Sequence, residues 1–481
     1  MISTDNTVAG LRARYGERWR WLAVATVMLG TMATVLSATV VNVALYDIMT
    51  EFGIRQGQVH WLATGFIAAM TTTMLTSSWL LDHFGLRTTL GTAMALFSLV
   101  SFAGGFANSP ELLILARVAQ GALAGLMQPM GMYLVFRIFP RDRRGQAMGI
   151  YGMGVILAPA LGPVLGGFLV DQLDWRYVMF APVPVTLLGV LMAWRFLPLP
   201  PDRPQPYRFD LPGLVLLGLT VGVSLDALNR LQHGALEGPW IAAEGMAAVV
   251  LLTLFVRRER RTPHPLLSIT LFRRRSFLFA NLGAAALGLA LFGSTYLVPL
   301  FVQTALEFSA TEAGLLMLPA GLALGMTFPI AGRLADRRSA RSLVLFGIGM
   351  FALSATLFAV SDVTLGFGWL ALWTVFGRVG LGFMLPALST GALNPLEAHE
   401  LGAGSSTINF TRQLGGAFGV NLVALTIEFG EHSGGVPTIG AFHSAWWLVA
   451  TFVLVAAIPV SRMRTRRLFY ADRQQTGYDG D

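Results

Sequence analysis

Long apolar runs alternate with short polar turns along almost the whole chain. The runs fall near residues 21–46, 59–81, 88–107, 111–136, 145–170, 176–197 and 211–231, then 239–256, 276–305, 311–334, 341–361, 365–393, 403–428 and 441–463. Crossing about 30 Å of hydrocarbon takes roughly 20 apolar residues as a helix. Only a helix or a closed barrel satisfies every backbone polar group in lipid, and runs this long and continuous predict helices. The pattern therefore predicts fourteen spans, numbered 1 to 14 in this order, with twelve as the alternative count.

The polar positions repeat. Leu80, Asp82 and Arg87 in LLDHFGLR recur as Leu334, Asp336 and Arg341 in LADRRSAR, 254 residues on. RVAQG at Arg117 to Gly121 returns as RVGLG at Arg378 to Gly382, offset by 261, and LGPVLG at Leu161 to Gly166 as LGGAFG at Leu414 to Gly419, offset by 253. Three matches in register predict a duplicated helical bundle. Spans 2, 4 and 5 map onto 10, 12 and 13, so each step skips eight spans and not six. The expected architecture is an all-α integral membrane protein of two six-helix bundles with two inserted helices. Its divisions are an N-terminal bundle over 1–200, the insert and its linkers over 201–275, a C-terminal bundle over 276–463 and a tail over 464–481.

Composition fits that picture, because 54% hydrophobic and 12% charged residues leave too little polar surface to enclose a water-soluble core. All 34 basic residues are Arg, and 28 of them fall on one side of the expected topology. The exceptions are Arg55, Arg117, Arg176, Arg230, Arg378 and Arg412. Positive charge is retained in the cytoplasm, which places both termini there. The basic balance is accounted for by topology and gives no reason to expect nucleic acid. Without Cys there are no disulfides, thiolate metal sites or cysteine nucleophiles. Arg12, Arg14, Arg18 and Arg20 precede span 1 with no cleavage site after it, so the first span is read as retained.

Arg117 lies inside an apolar helix, where a guanidinium costs several kcal/mol unless it finds partners or a wet cavity. Gln120, Ala124 and Gln128 share its face at helical spacing and extend a polar stripe. Two roles are open, a functional site or structural hydrogen bonding. Arg378, its repeat counterpart, and Arg412 on span 13 are read as structural at least as readily. Gly154, Pro159, Gly162, Pro163, Gly166 and Gly167 on span 5 remove side chains and a backbone donor, letting helices approach and bend. Met28, Met32, Phe66, Met70, Met127, Met130, Trp373, Phe376, Phe383 and Met384 can form an adaptable apolar pocket, although most such residues serve only as core or lipid-facing surface. Asn42, Gln128 and Asn409 are the better cavity candidates, since an amide in hydrocarbon needs a partner.

In this order the motifs resemble the major facilitator superfamily, specifically its fourteen-helix drug:proton antiporter branch of the EmrB/QacA type. The resemblance rests on TVVNVAL at Thr39 to Leu45, the turn around Asp82, ARVAQG at Ala116 to Gly121 and APALGPVLGG at Ala158 to Gly167. WRYVMFAPVP at Trp175 to Pro184, GRLADR at Gly332 to Arg337 and NFTRQLGG at Asn409 to Gly416 complete it. It implies a bacterial cytoplasmic (inner) membrane exporter that moves a lipophilic small molecule against protons. It also implies an antiporter motif on span 5, a proton-exchange role for Arg117 and no cofactor. Asp82 with Arg87 and Asp336 with Arg341 are implied to form a conformational latch. By pseudo-symmetry Asp82 pairs with the start of span 13 near Gly402 to Ser406, and Asp336 with the start of span 5 near Gly145. The alternative is a solvated charge or a local pair with Arg87 or Arg341. The expected substrate cavity draws on Met32, Asn42, Phe66, Met70, Gln120, Gln128, Trp373, Phe376, Arg378, Asn409 and Arg412. A functional monomer among membrane lipids is expected, with a membrane-fusion adaptor as partner where the host has an outer membrane.

The chain departs from that pattern at Ser37, where the family commonly carries a span 1 acid, at Ser78 in place of Gly, and at Pro182 in place of Asn. Asp226, Glu244 and Glu428 are the acids within or at the edge of the spans, so Arg117, Asp226 and Glu428 are the proton-coupling candidates. Asp226 also has Arg230 four residues on, the spacing of an ordinary helical ion pair. Three bundle arginines and no central acid favour neutral or anionic cargo. No GxxxxGK[ST] motif is present, so ATP is not the direct energy source. The seven His residues are scattered, without metal spacing or paired carboxylates inside a span, which argues against an enzyme. The competing functions are a proton-independent or lipid/fatty-acid exporter and a non-transporting membrane receptor or scaffold.

Overall fold

The structure is a computed structural model, and it describes all residues except 1–6, 55–58, 60, 200–206, 233–237, 363–364, 433–435 and 464–481. The expected tail therefore lies outside the described residues. The described chain is helical apart from a two-residue antiparallel pairing of Glu431–His432 with Val436–Pro437.

Among the described residues, twelve helices are long and apolar enough to cross a membrane. They comprise span 1 (Arg18–Phe52), span 4 (Pro110–Ile138), span 5 (Arg144–Gln172), span 6 (Arg176–Phe196), span 7 (Leu211–Leu228) and span 8 (Trp240–Glu259). Span 9 (Arg275–Thr304), span 10 (Thr311–Arg337), span 11 (Ala340–Ala359), span 12 (Phe367–Leu393) and span 14 (Ile439–Ser461) follow, and Thr76–Gly104 is counted once. The expected spans 2 and 3 share Thr76–Gly104, because the helix breaks at Gly85, where φ is +70° and only glycine is unstrained. Span 2 is thus Trp61–Thr73 continued to Gly85. The run TTTMLTSS explains its offset at residues 74–75: Thr71, Thr72, Thr73 and Thr76 all turn their hydroxyls onto backbone carbonyls, which bends helices. Span 13, Leu401–Phe429, is rich in Gly, Ser, Thr and Asn and so is less apolar than the others.

Caps mark several starts. Ser109 accepts from Leu112 N ahead of span 4, Ser309 forms a capping box with Glu312 ahead of span 10, and Thr438 caps span 14.

Packing follows the repeat. Span 1 packs on 4, 5 and 6, and span 9 on 12, 13 and 14; spans 2 and 3 pack on 4, and spans 10 and 11 on 12. Close approach is built from glycine: a Cβ on Gly121 or Gly125 of span 4 would strike the Phe66 or Met70 carbonyl of span 2. One on Gly288 or Gly415 would collide across spans 9 and 13. The result is the expected architecture of two six-helix bundles. Between them, span 5 meets spans 10 and 12, and span 13 meets spans 2, 3 and 4. Span 7 packs on Trp61–Thr73 of span 2, on span 13 and on span 8. Span 8 presents Trp240, Met246 and Val249 outward.

Candidate functional site

Among the described residues Arg117 is the most completely enclosed cation, 1% exposed two turns into span 4. Its Nε donates to Leu62 O (3.1 Å), and its Nη1 donates to Ser37 Oγ (2.9 Å) and Gln120 Oε1 (2.8 Å). The guanidinium lies 4.3 Å from the centre of the Phe66 ring. Gln120 in turn donates to Ser101 Oγ at 2.7 Å, tying span 3 into the network. Each of these partners is neutral. Ser37, where the resemblance leads one to expect an acid, thus touches the arginine directly, and the positive charge is solvated by dipoles and a π-face.

The other arginines occupy similar settings. Arg378 is 5% exposed and donates to Thr295 Oγ1 (3.0 Å); Arg412 donates to Asn409 Oδ1 (3.1 Å), while Asn409 Nδ2 donates to Ser405 O (2.9 Å). Thr31 and Tyr151, which the sequence did not single out, share a buried hydroxyl–hydroxyl bond of 2.8 Å between spans 1 and 5. Their signal is a tyrosine amid glycines in GIYGMG, since a buried phenol needs a partner.

The expected cavity residues separate into groups. Phe66 and Gln120 surround Arg117, and Gln128 Nε2 points at Met70 Sδ (3.5 Å). Met32 is half-buried, whereas Asn42 and Phe376 are exposed. Trp373 belongs to the packed interior of the C-terminal bundle: it accepts from Ser354 Oγ at its carbonyl and meets the Phe358 ring edge-on, which itself stacks on Trp446. A cavity of about 500 Å³ lies elsewhere, at the arginine-rich face, among Asp82, Tyr207, Asp210, Glu259 and His264.

At that same face the two repeated aspartates differ. Asp336 accepts from Gly145 N (2.6 Å) and Gln146 N (2.8 Å), so its carboxylate sits on the positive end of span 5 in the other bundle. Asp82 is not joined to the start of span 13. It accepts instead from Tyr207 Oη at 2.7 Å, a residue just ahead of span 7. Burial and the bond to Asp82 push the Tyr207 phenol up, which keeps it a donor at neutral pH. Span 13 is nonetheless close, with Ser406 Oγ 2.8 Å from Ser77 Oγ. Arg87 turns away onto the Trp194 ring (5.0 Å) and Arg341 is exposed, so neither forms the local pair considered from sequence.

The span 5 motif packs against span 1. A Cβ on Gly154 would strike Met28, one on Gly162 would strike Thr39 and one on Gly166 would stand 3.1 Å from Val40 O, whereas Gly167 has nothing within 4 Å. Pro159 is half-buried; the side chain of Pro163 lies outside the described residues. Asp226 is held by Arg230 (2.9 Å), which also reaches Glu244 (3.2 Å), and Glu428 is half-buried near Tyr296.

With this geometry in place, the chain was compared with known proteins. The family model of the Major Facilitator Superfamily matches residues 27–420. The multidrug resistance protein B homolog of Mycobacterium tuberculosis is 32% identical over 84% of this chain and 76% of its own length. The multidrug export protein EmrB of Haemophilus influenzae is 31% identical over 83% of this chain and 79% of its own. Among solved structures, the human organic anion transporter MFSD10 superposes with a TM-score of 0.66 at 14% identity, over 92% of this chain and 99% of that one. The proton:xylose symporter XylE does so with a TM-score of 0.65 at 13% identity, over 92% and 95%. At such identities these two speak for the fold alone.

Proposed function

The chain belongs to the major facilitator superfamily, in its EmrB-type branch, and we propose that it is a proton-coupled multidrug or amphiphile exporter working by alternating access. Its relatives named as multidrug export proteins support efflux, and the apolar helices support a multi-pass membrane transporter. The observation that carries the mechanism is the seam at the arginine-rich face, where Asp336 docks on span 5 and Ser77 meets Ser406. A closed seam on that face, taken as cytoplasmic with both termini, leaves the pathway to open on the other.

In this reading the N-terminal bundle (1–200) and the C-terminal bundle (276–463) rock about a central substrate cavity between them, and the insert (201–275) rides beside them. Asp336 and Asp82 serve as the latch. The cargo is a neutral or anionic amphiphile, because Arg117, Arg378 and Arg412 set a positive field through neutral partners. Arginine does not release its proton in proteins, so Arg117 tunes the coupling and a carboxylate carries it. Glu428 lies on span 13, within a bundle, whereas Asp226 lies on span 7, outside both, and Glu428 is the acid for that role. The protein acts as a monomer in the inner membrane, joined by a membrane-fusion adaptor where an outer membrane exists.

The test is efflux from proteoliposomes under an imposed pH gradient, comparing an anionic amphiphile with a lipophilic cation. Gradient-driven movement of the anion, reduced at least tenfold in Arg117→Ala, is expected. Movement indifferent to the gradient would replace antiport by facilitated export, and no flux at all would leave a receptor or scaffold. Robust cation efflux with no anion movement or competition would overturn the cargo assignment.

A further inference from the structure

Asp210 and Glu259 stand at the two ends of the insert, one at the start of span 7 and one at the end of span 8, and both are buried, at 5% and 3% exposed. Asp210 caps span 7, its Oδ1 accepting from Gly213 N (3.1 Å). The same oxygen takes both donors of Arg258, Nε at 2.8 Å and Nη2 at 2.6 Å. Glu259 uses Oε2 to accept from Leu267 N at 2.8 Å. One oxygen of each carboxylate remains: Asp210 Oδ2 and Glu259 Oε1 are buried without a hydrogen-bond partner. They converge, since a Cβ on Gly213 would strike the first and stand 3.2 Å from the second.

Two ionised carboxylates that converge in a largely buried place, with one arginine bonded to Asp210, carry a surplus negative charge, which is unfavourable. One proton removes the surplus and satisfies both oxygens, because a protonated carboxyl gains the donor that its neighbour lacks. We propose that Asp210 and Glu259 form a proton-binding site, with the proton on Glu259 Oε1 donated to Asp210 Oδ2. Glu259 takes it because Asp210 already holds the arginine.

A metal cation fits poorly. The protein offers two converging free oxygens, so magnesium or calcium would have to draw most of its ligands from water. Among the described residues, no group of three or more acidic or His side chains is arranged for a metal. The other charged groups around the site have partners or stand back in the cavity. Tyr207 is committed to Asp82, and its ring stacks on His264 at 4.4 Å. Glu400 is held by Arg274 and His399 lies by Glu397, while Arg260 and Arg273 line the cavity wall. The site lies outside the two bundles, and its occupancy is a property of the resting protein that requires no flux.

The experiment is infrared pH-difference spectroscopy on the purified full-length protein in detergent, reading the carbonyl band of a protonated carboxyl. The wild type is expected to show that band at neutral pH, with a deuterium shift, and Glu259→Gln to lose it while its amide preserves the bond to Asp210. Asp210→Asn, whose amide donates to Glu259 and displaces the proton, should lose it too, so either variant suffices if the other fails to fold. Asp82→Asn should retain it. No band at neutral pH, a band that survives both Glu259→Gln and Asp210→Asn, or one abolished by calcium or magnesium at fixed pH would each overturn the proposal.

Discussion

The two bundles face each other across two seams that the internal repeat makes equivalent, span 5 against span 10 and span 13 against span 2, and they are built differently. At the first, backbone lies on backbone: a Cβ on Gly332 would strike Gly145 O, one on Gly149 would strike Phe328 O, and Asp336 bonds two amides at the start of span 5. At the second, the contact is made by side chains, Ser77 with Ser406, and a Cβ on Gly402 would stand 3.1 Å from the Ser78 hydroxyl rather than against backbone. The inserted span 7 explains the difference. It packs against both span 2 and span 13, and its leading linker delivers Tyr207 to the aspartate that symmetry would have sent across the seam. The repeat thus places two equivalent aspartates, one bonded to the opposite bundle and one to Tyr207 ahead of the insert; in the proposed latch, the insert has changed the partner of one.

Gly332→Ala should break the first seam most severely. The obstructing atom is a backbone carbonyl of span 5, which moves only if the helix moves, so the closed form should lose about 2–3 kcal/mol. The natural chain has no Cys, so spin labels at Arg143→Cys and Arg338→Cys, both exposed, report the opening as an added long-distance population. An unchanged distance distribution would show that the seam is not what holds this face shut.

Asp336→Asn comes next. The neutral side chain retains one acceptor but loses charge-assisted bonding to two amides and its interaction with the helix end. A loss of about 2 kcal/mol, roughly thirtyfold in the balance of the two facings, should appear with the same label pair. Tyr207→Phe removes the donor that Asp82 uses in place of span 13. It should cost about 1 kcal/mol and be read with labels at Phe84→Cys and Glu397→Cys; an effect as large as that of Asp336→Asn would mean the two latches are energetically equal after all.

How far these features are legible in the sequence depends on range. Hydrophobic runs, their caps and the turn at Asp82 are encoded locally, and the repeat exposes Asp336 as its equivalent because identical polar residues recur in register. The pairing of Arg117 with Ser37 is not legible: both residues stand out alone, but only packing of spans 1 and 4 brings them together. Tyr207 is still less visible, being one aromatic just ahead of span 7 that reaches Asp82 only because span 7 packs on span 2. The convergence of Asp210 and Glu259 is hidden for the same reason, since the acids sit on different spans and meet only when those spans pack side by side. Trp373 shows the opposite failure. Its aromatic character suits a binding pocket and a packed interior equally, and its neighbours Phe358 and Trp446 lie on other stretches of chain.

The smallest effect should come from the same substitution at the equivalent place, Gly402→Ala. Its new methyl would meet Ser78 Oγ at 3.1 Å, with the Ser78 backbone at 3.7 Å. A serine hydroxyl moves by rotating χ1, so the neighbour can yield without displacing a helix. Alanine also favours helix over glycine, by less at this first turn than in a helix interior, which offsets part of what strain remains. Labels at Phe84→Cys and Glu397→Cys should then report a wild-type distribution, and the thermal midpoint should be unchanged or slightly raised. Should Gly402→Ala open the arginine-rich face as widely as Gly332→Ala, the second seam would be as intolerant as the first, and the asymmetry traced to span 7 would have no energetic content.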